Sequence, residues 1–545
     1  MLRYSIWPLP AEIYAMIYSH LSVNHLAAVQ ETCRMLFTIT TPYVWQSVDI
    51  ESLLRLLPGC ISEGKREPTL NIATPCPIPD GYLSRFFFYS RFVKCLKITP
   101  QFMISGSFQD ALDELAVQAS STSLLILPAL GEVKLTMIVE NSQRRYRDEY
   151  ADYKFWIDAL IPQTIKRISF EAYSNHNESL LGAIISKAPE LTHLEFASEA
   201  RSARFYEQIV GPNQMRHVRF LRYSGSIMDP DVMNWFTEMP QLSVLELTLD
   251  QEDSEEPHIP EMDDKPEAFQ ALTTLKVFTC DHAEVAEQWI LLRQLWRTPL
   301  VKHLTCVELK LSGPIYPDMQ EFDQFMTVLV DQSPQVSSLR IEASGTPEHF
   351  PEIPIEVLSE TRRLPLRALY LQSPIHLGVN QSLFKSLGAV YSKLEVLDLG
   401  SSVVEVSDIL NAHHYLPRLR YLNIGVWSTK VNKERLQRTL FSLSKASSFV
   451  PLRPPNNSYL SICFRSRRLG SGMRAYTLDF SDVHVVALLL STYWAIIHVH
   501  GDLLADRMDE LRTRIDIWRG KADRNWDRLV ECVVALFKGA SRDSK

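Results

Sequence analysis

Glycine is sparse in this chain, 19 among 545 residues. No glycine-rich turn leads from a strand-like pattern into a helix-like one, which argues against the phosphate loops of doubly wound α/β enzymes. HExxH, GxSxG and Walker-type patterns are missing too, so no catalytic residue is announced by spacing. Eight cysteines, at 33, 60, 76, 95, 280, 306, 463 and 532, include no CxxC pair. In so long a chain they read as reduced, buried thiols of a cytoplasmic or nuclear protein. His413 and His414 have no ligand companions at usable spacing, so neither a metal nor any cofactor is expected. A leading basic region with an apolar run and a small-residue cleavage site is also missing, so no secretory signal is expected. The sequons at Asn177, Asn380 and Asn456 then read as chance. Basic runs are absent, and the net charge is −8, which argues against nucleic acid or an anionic membrane as partner. The most apolar stretch, residues 483–499, is short for a membrane span and contains His484 and His498. It reads as a buried helix to about Tyr493 running into a strand at Ile496–Val499.

What is present starts at the N-terminus, with LPAEIYAMIYSHLSVNHLAAVQETCRMLFTITTPYVW from Leu9 to Trp45. Leu9-Pro10 opens a helix, because proline suits the first turn, where its missing N–H would be unpaired anyway. Ile13, Ile17 and Leu21 recur at i, i+4 and i+8 and form one apolar stripe, with Met16 beside it. Asn24 is placed to cap a second helix carrying Leu26, Val29, Cys33, Leu36 and Phe37. Pro42 is expected to break that helix, and Trp45 follows as an anchor. Cys33, on the apolar face, is explained by packing better than by nucleophilicity. A stretch this short buries too little surface to stand alone, so it reads as a docking element.

The spacing Leu9-Pro10-x-Glu12-Ile13, Ile17, Leu21, Leu26, Cys33-Arg34, Pro42, Trp45 resembles the F-box, and CRMLFTITTPYVW is similar to its fungal variety. Two positions depart from the pattern. His25 stands where an acid commonly precedes the leucine of the second helix, and Leu36-Phe37 replaces a tryptophan often found after the cysteine. The resemblance implies a substrate receptor of a Skp–cullin–F-box ubiquitin ligase. Its partners would be a Skp-type adaptor subunit and, through it, a cullin. Leu9, Pro10, Glu12, Ile13, Ile17, Leu21, Leu26, Val29, Cys33, Leu36 and Trp45 would then form the Skp-binding face.

Trp45-x-x-Val48-x-Ile50 suits a short strand leaving the helical module, and residues 51–92 read as a connecting segment, with a helical turn at Leu53–Leu57 and a Pro- and Gly-rich loop over 64–81. From residue 93 the chain repeats an apolar-x-x-apolar-x-apolar unit whose last two apolar positions alternate as strand residues do. Copies begin at Val93, Leu130, Ile165, Leu191, Met215, Leu242, Leu272, Leu304, Val336, Leu366, Leu394 and Leu419. Pro162, Pro189, Pro240, Pro334, Pro365 and Pro417 lie just upstream, where a proline ends the preceding helix. Spacers such as Leu180-Leu181, Ile184-Ile185 and Phe322, Phe325-Met326, Leu329 carry helical spacing.

One strand and one helix per unit resemble an irregular leucine-rich-repeat solenoid. The fold class expected is therefore an α/β solenoid over 93–480, preceded by a small all-α F-box-like module at 1–50 and closed by a helical C-terminal cap at 481–545. The buried asparagine usual after each strand is largely missing, and only Cys280 fits that position. The acidic insertion at 251–267 reads as a solvated loop.

In such solenoids the side chain between the two buried strand positions points away from the core. Those positions are Glu195, Arg219, Glu246, Lys276, Glu308, Arg340, Tyr370, Asp398 and Asn423. Their mixed charge suits a protein substrate, with Arg219, Arg340 and Tyr370 as preferred anchors. The expected function is thus a non-enzymatic adaptor. The alternative is a leucine-rich-repeat scaffold that binds Skp without promoting ubiquitination.

Overall fold

The computed structural model describes residues 13, 16–18, 20–57, 60–63, 69–72, 83–98, 103–104, 110, 117, 126–137, 161–172, 184–198, 215–224, 230–249, 269–279, 285–312, 319–344, 353–354, 357–371, 375–376, 383–404, 409, 412–427, 459–465, 496–501 and 512–516. Leu9, Pro10 and Glu12, the acidic insertion at 251–267, Cys280, and the helical part of 483–499 lie outside them. The chain divides into two compact units, Met1–Glu246 and Leu247–Lys545.

In the first unit, strands β1 (Ser47–Asp49), β4 (Cys95–Ile98), β6 (Glu132–Met137), β7 (Arg167–Ala172), β8 (His193–Ser198) and β9 (Phe220–Ser224) pair side by side in that order, all parallel. Strand β10 (Val244–Leu249) crosses the boundary between units. In the second unit the parallel order is β11 (Thr274–Thr279), β12 (Cys306–Ser312), β13 (Ser338–Ser344), β15 (Ala368–Leu371), β17 (Val396–Val404), β18 (Tyr421–Trp427), β19 (Tyr459–Arg465) and β20 (Ile496–Gly501). Helices stand between several of these strands, among them Pro230–Thr237, Val285–Leu295, Met319–Gln332 and Leu383–Val390. Parallel strands paired in chain order, with helices between several of them, are consistent with an α/β solenoid.

The apolar repeat is longer than the three positions visible in the sequence. Buried residues recur at i, i+3, i+6 and i+8: Ala188, Leu191, Leu194, Phe196; Phe269, Leu272, Leu275, Val277; Val301, Leu304, Val307, Leu309; Tyr391, Leu394, Leu397, Leu399; Leu416, Leu419, Leu422, Ile424. The first two positions fill the turn before each strand and the last two lie on the strand. Each full burial stabilises by about 1.5–3 kcal/mol, so the repeat is the main source of cohesion.

This longer pattern corrects one expected register. Met215 is the first position of its repeat and not the second, so the buried strand residues of β9 are Leu221 and Tyr223. The rings confirm it. Phe170 stacks on Phe196 at 5.6 Å, and Phe196 on Tyr223 at 6.1 Å.

Where the chain enters the strands, backbone carbonyls form a ladder from repeat to repeat. The Lys94 carbonyl accepts from the N–H groups of Gly131 and Glu132, Gly131 from Lys166 and Arg167, and Lys166 from Thr192 and His193. In the second unit Thr273 accepts from Thr305 and Cys306, Thr305 from Ser337 and Ser338, and Ser337 from Arg367 and Ala368. Hydroxyls reinforce the ladder: Thr192 Oγ1 donates to the Lys166 carbonyl at 3.1 Å, and Ser337 Oγ to that of Thr305 at 3.2 Å. Buried backbone groups are thereby paired at each entry, which a repeat of variable length requires.

Helices pack against one another through large side chains. Trp289 meets Phe322 and Phe325 with centroids 5.0 and 5.4 Å apart, and Trp296 meets Phe325 at 5.1 Å. Thr279 Oγ1 donates to Gln288 Oε1 at 2.8 Å, tying β11 to the helix that follows it.

The N-terminal segment departs from expectation in three places. The single second helix is two, Val23–Gln30 and Arg34–Val44, with a turn between. Ser22 is the cap of the first, its Oγ accepting from His25 N at 3.3 Å, so Asn24 lies inside the helix. Pro42 sits in the last turn of Arg34–Val44, where it stops propagation only two residues later. Downstream, the expected loop at 64–81 contains β3 (Thr69–Ile72), antiparallel to β2 (Cys60–Glu63). Among the described residues no helix is long and apolar enough to cross a membrane.

Gly388 offers a test of helix packing. A Cβ there would stand 2.5 Å from the Tyr415 carbonyl oxygen, which is backbone and has no rotamer to escape into. Alanine gains about 1 kcal/mol of helix propensity, and forced overpacking costs roughly 1–3 kcal/mol. The net effect expected of Gly388→Ala is destabilisation, read as an earlier urea midpoint. An unchanged or later midpoint contradicts the close approach.

Candidate functional site

Alternation along parallel strands puts one face of each sheet against the core and leaves the other open. On the open face of the first unit, Asp49, Lys97, Lys134, Ser169, Glu195 and Arg222 lie in register from strand to strand. On that of the second unit the row is Lys276, Glu308, Arg340, Tyr370, Asp398, Asn423 and Ser461. The structure therefore brings Lys276, Glu308, Arg340, Tyr370, Asp398 and Asn423 together as the sequence expects.

Arg219 does not belong to the row. It precedes β9, its backbone carbonyl accepts from Ser243 and Val244, and its place on the open face is taken by Arg222. Glu246 is only 3 % exposed. Arg222 covers it, with Nε donating to Oε2 at 2.7 Å, and also reaches Glu195 at 3.6 Å, whose Oε2 accepts from Ser169 Oγ at 3.1 Å. Glu246 is thus a buried counter-charge and presents no carboxylate to a partner.

In the second unit the row separates into two neighbourhoods. The first is ionic. Lys310 lies 3.2 Å from Glu308 and 3.7 Å from Glu342, and Arg340 lies 3.8 Å from Glu308 while hydrogen-bonding Glu342. Arg340 also sits over the Tyr370 ring at 5.2 Å, and Lys310 over Phe278 at 5.4 Å. Burial works to lower the Arg340 pKa, but the hydrogen bond and charge of Glu342, with Glu308 and Asp398, outweigh it and raise it. Half-exposed pairs of this kind stabilise by less than about 1 kcal/mol each, so the network orients side chains more than it holds the fold.

The second neighbourhood is aromatic and rich in acceptors. Tyr421 and Tyr459 stack in parallel at 5.2 Å, two positions before Asn423 and Ser461 on the same face. Asn423 Nδ2 donates to Asp398 Oδ1 at 2.9 Å. Burial, joined by the Asp398 charge, pushes the Tyr370 and Tyr421 hydroxyls above their ordinary pKa, so both stay protonated as donors. Tyr421, Tyr459, Lys310, Glu342 and Arg222 escaped the sequence reading, which took a single open position per strand. Counting i+5, i+7 and i+9 from the first buried residue of each repeat would have found most of them, as Tyr421 from Leu416, Arg222 from Met215 and Lys310 from Val301 show.

The helices before β1 form the other candidate surface. Met16, Ile17, Val23 and Met35 are four of the seven large apolar side chains exposed among the described residues. Ile17 is 43 % exposed and Met35 41 %, while Ile13, Leu21, Val29 and Leu36 are half-buried. Leu26 is buried, and Trp45 packs on Tyr89 at 4.4 Å, which ties the module to the segment that follows it. Cys33 was expected to pack but is exposed at the start of Arg34–Val44. Burial pushes the thiols of Cys60 and Cys95 up, away from thiolate chemistry. Among the described residues no cluster of three or more His, Cys, Asp or Glu is arranged to hold a metal.

No family model matches the chain, and no curated protein does. Among solved structures, a protein from Bacteroides fragilis is similar at 13% identity and a TM-score of 0.28, covering 50% of this chain and 74% of its own. The Rad7 and Elc1 complex in yeast is similar at 11% identity and a TM-score of 0.28, covering 86% of this chain and 92% of its own. At that level of similarity, fold and function rest on this chain's own residues.

The register on β9 has a measurable consequence. Arg222→Met removes the guanidinium hydrogen bond to the buried Glu246 carboxylate, which costs roughly 1–3 kcal/mol. Arg219→Met removes an exposed side chain and should change stability by no more than about 0.5 kcal/mol. Chemical denaturation of the two variants checks the difference, and equal losses would put Arg219 back in the row.

Proposed function

We propose that this chain is a substrate-recognition adaptor of a Skp–cullin–F-box ubiquitin ligase. On this reading the N-terminal helices dock on a Skp-type subunit and the open strand face holds a protein substrate. The observation that carries the reading is the exposed apolar set Met16, Ile17, Val23 and Met35, concentrated in the segment whose sequence resembles the F-box. Apolar side chains grouped in this way, on a small helical module, mark a surface that a protein partner covers. Ile17, a position the F-box resemblance singles out, belongs to the set.

The mechanism is proximity. A receptor that holds a substrate beside a charged ubiquitin carrier raises the local concentration of its lysines, and no reacting group need come from this chain. Within the strand row, the neighbourhood around Tyr370, Asp398 and Tyr421 is the better substrate anchor. Arg340 already has its charge satisfied by Glu308 and Glu342, so a partner would have to displace them.

Placing a carboxylate at the centre of the docking face tests the reading. Desolvating it against an apolar partner costs several kcal/mol, a large part of the whole binding free energy. Ile17→Asp and Met35→Asp should each abolish co-purification of the Skp subunit. Both side chains are exposed in the free chain, so the thermal midpoint should stay where it is. Undiminished Skp binding by both variants would remove the docking face.

A further inference from the structure

We infer that the strand-entry rim of the second unit, where Arg367, Lys393, Arg418 and Arg420 gather over three consecutive repeats, docks a carboxylate-rich segment of a partner protein. This surface is neither the N-terminal helices nor the row on the open strand face, and its assignment depends on neither. Three observations carry it.

The first is the backbone that places the cations. The Arg367 carbonyl accepts from Glu395 N–H at 2.7 Å, and the Glu395 carbonyl from Arg420 N–H at 2.7 Å. The residues entering β15, β17 and β18 therefore stand side by side. Lys393 and Arg418 hold one equivalent position, two residues before Glu395 and Arg420. Neighbouring strands are about 4.8 Å apart, so the rim spans roughly 10 Å, the length of about three extended residues.

The second is charge without compensation. All four cations are exposed. Elsewhere the second unit neutralises its own charges: Lys310 and Arg340 meet Glu308 and Glu342, and Arg363 hydrogen-bonds Asp331. In the turns leading into β15, β17 and β18, Glu395 is the one carboxylate, and Arg367 reaches it only at 3.9 Å. Lys393, Arg418 and Arg420 make no ion pair with a described residue. Like charges gathered in this way repel one another, and an anionic partner relieves that repulsion.

The third selects the partner. Three of the four cations are arginines, whose planar fork takes a carboxylate through two parallel hydrogen bonds. Tyr421 and Tyr459, half-buried and stacked at 5.2 Å, follow directly after Arg420 and set ring surface beside the charges. A short acidic peptide with an apolar residue fits such a surface. A nucleic acid would need phosphate contacts over a longer track, and the net charge of −8 opposes it.

The test uses the full chain and a random peptide library displayed on phage. Peptides enriched on the wild-type protein are synthesised, each with a version in which Asp and Glu are replaced by Asn and Gln. The result expected is that enriched peptides carry Asp or Glu and that their amide versions bind about tenfold or more weakly. Combining Arg418→Gln with Arg420→Gln should weaken the acidic peptides by a similar factor. The ladder uses the Arg420 backbone alone, so the thermal midpoint of this variant should match wild type. Lys94→Gln with Lys166→Gln removes two exposed cations from strand entries of the first unit and should leave binding unchanged.

Failure to enrich acidic peptides, undiminished binding to the Arg418 and Arg420 variant, or an equal loss from the Lys94 and Lys166 variant overturns the proposal. So does an oligothymidylate that binds the rim more tightly than any enriched peptide, since that would make it a nucleic-acid site. Co-purification of the Skp subunit should survive the Arg418 and Arg420 variant, so this proposal and the adaptor reading fail separately.

Discussion

The fold depends on the burial of the i, i+3, i+6, i+8 set, apolar at all four positions in most described repeats. The first two positions fill the turn and the last two fix which face of the strand is inside. Because strand side chains alternate, that choice also fixes which residues are left on the open face. The carbonyl ladder at the strand entries is what lets the repeats vary in length. Each repeat needs only a neighbour's backbone oxygen to satisfy two N–H groups, so spacers are free to change. Degenerate repeats and an ordered parallel sheet are therefore compatible.

The same constraint explains how the open face acquired two characters. Where consecutive strands present alternating charge, as with Glu308, Lys310, Arg340 and Glu342, the face neutralises itself. Where the row changes to Tyr370, Asp398 and Asn423, with Tyr421 and Tyr459 alongside, the face turns aromatic, and Arg340 from the neighbouring strand rests over the Tyr370 ring. Adjacent strands are about 4.8 Å apart, so the second neighbourhood spans the width of an extended peptide segment.

Strand positions were legible in the sequence because leucine-rich triplets recur with prolines just ahead of them. Met215 misled because Met215, Val218 and Phe220 satisfy the three-position unit as well as Val218, Leu221 and Tyr223 do. The burial of Leu221 and Tyr223, with Tyr223 stacked on Phe196, separates the two. The burial of Glu246 was not legible at all, since it depends on Arg222 from another strand reaching over it. In the N-terminal segment the helical character was readable, but the break at Glu31–Cys33 was not, because no proline or glycine marks it. The β2–β3 hairpin was hidden by the Pro- and Gly-rich composition around it. For the candidate site, the row was readable and its energetics were not, since satisfied and unsatisfied charges look alike in one dimension.

The account stands or falls on whether an exposed apolar face at the N-terminus and a receptor face on the strands serve one assembly. Affinity purification of the full-length chain, with its bound proteins identified by mass spectrometry, tests this most directly. The account predicts a Skp-type subunit and a cullin in the same eluate, together with a protein whose retention depends on the open strand face. Recovery of a Skp-type subunit without cullin would make the chain a scaffold, and recovery of neither would contradict the account.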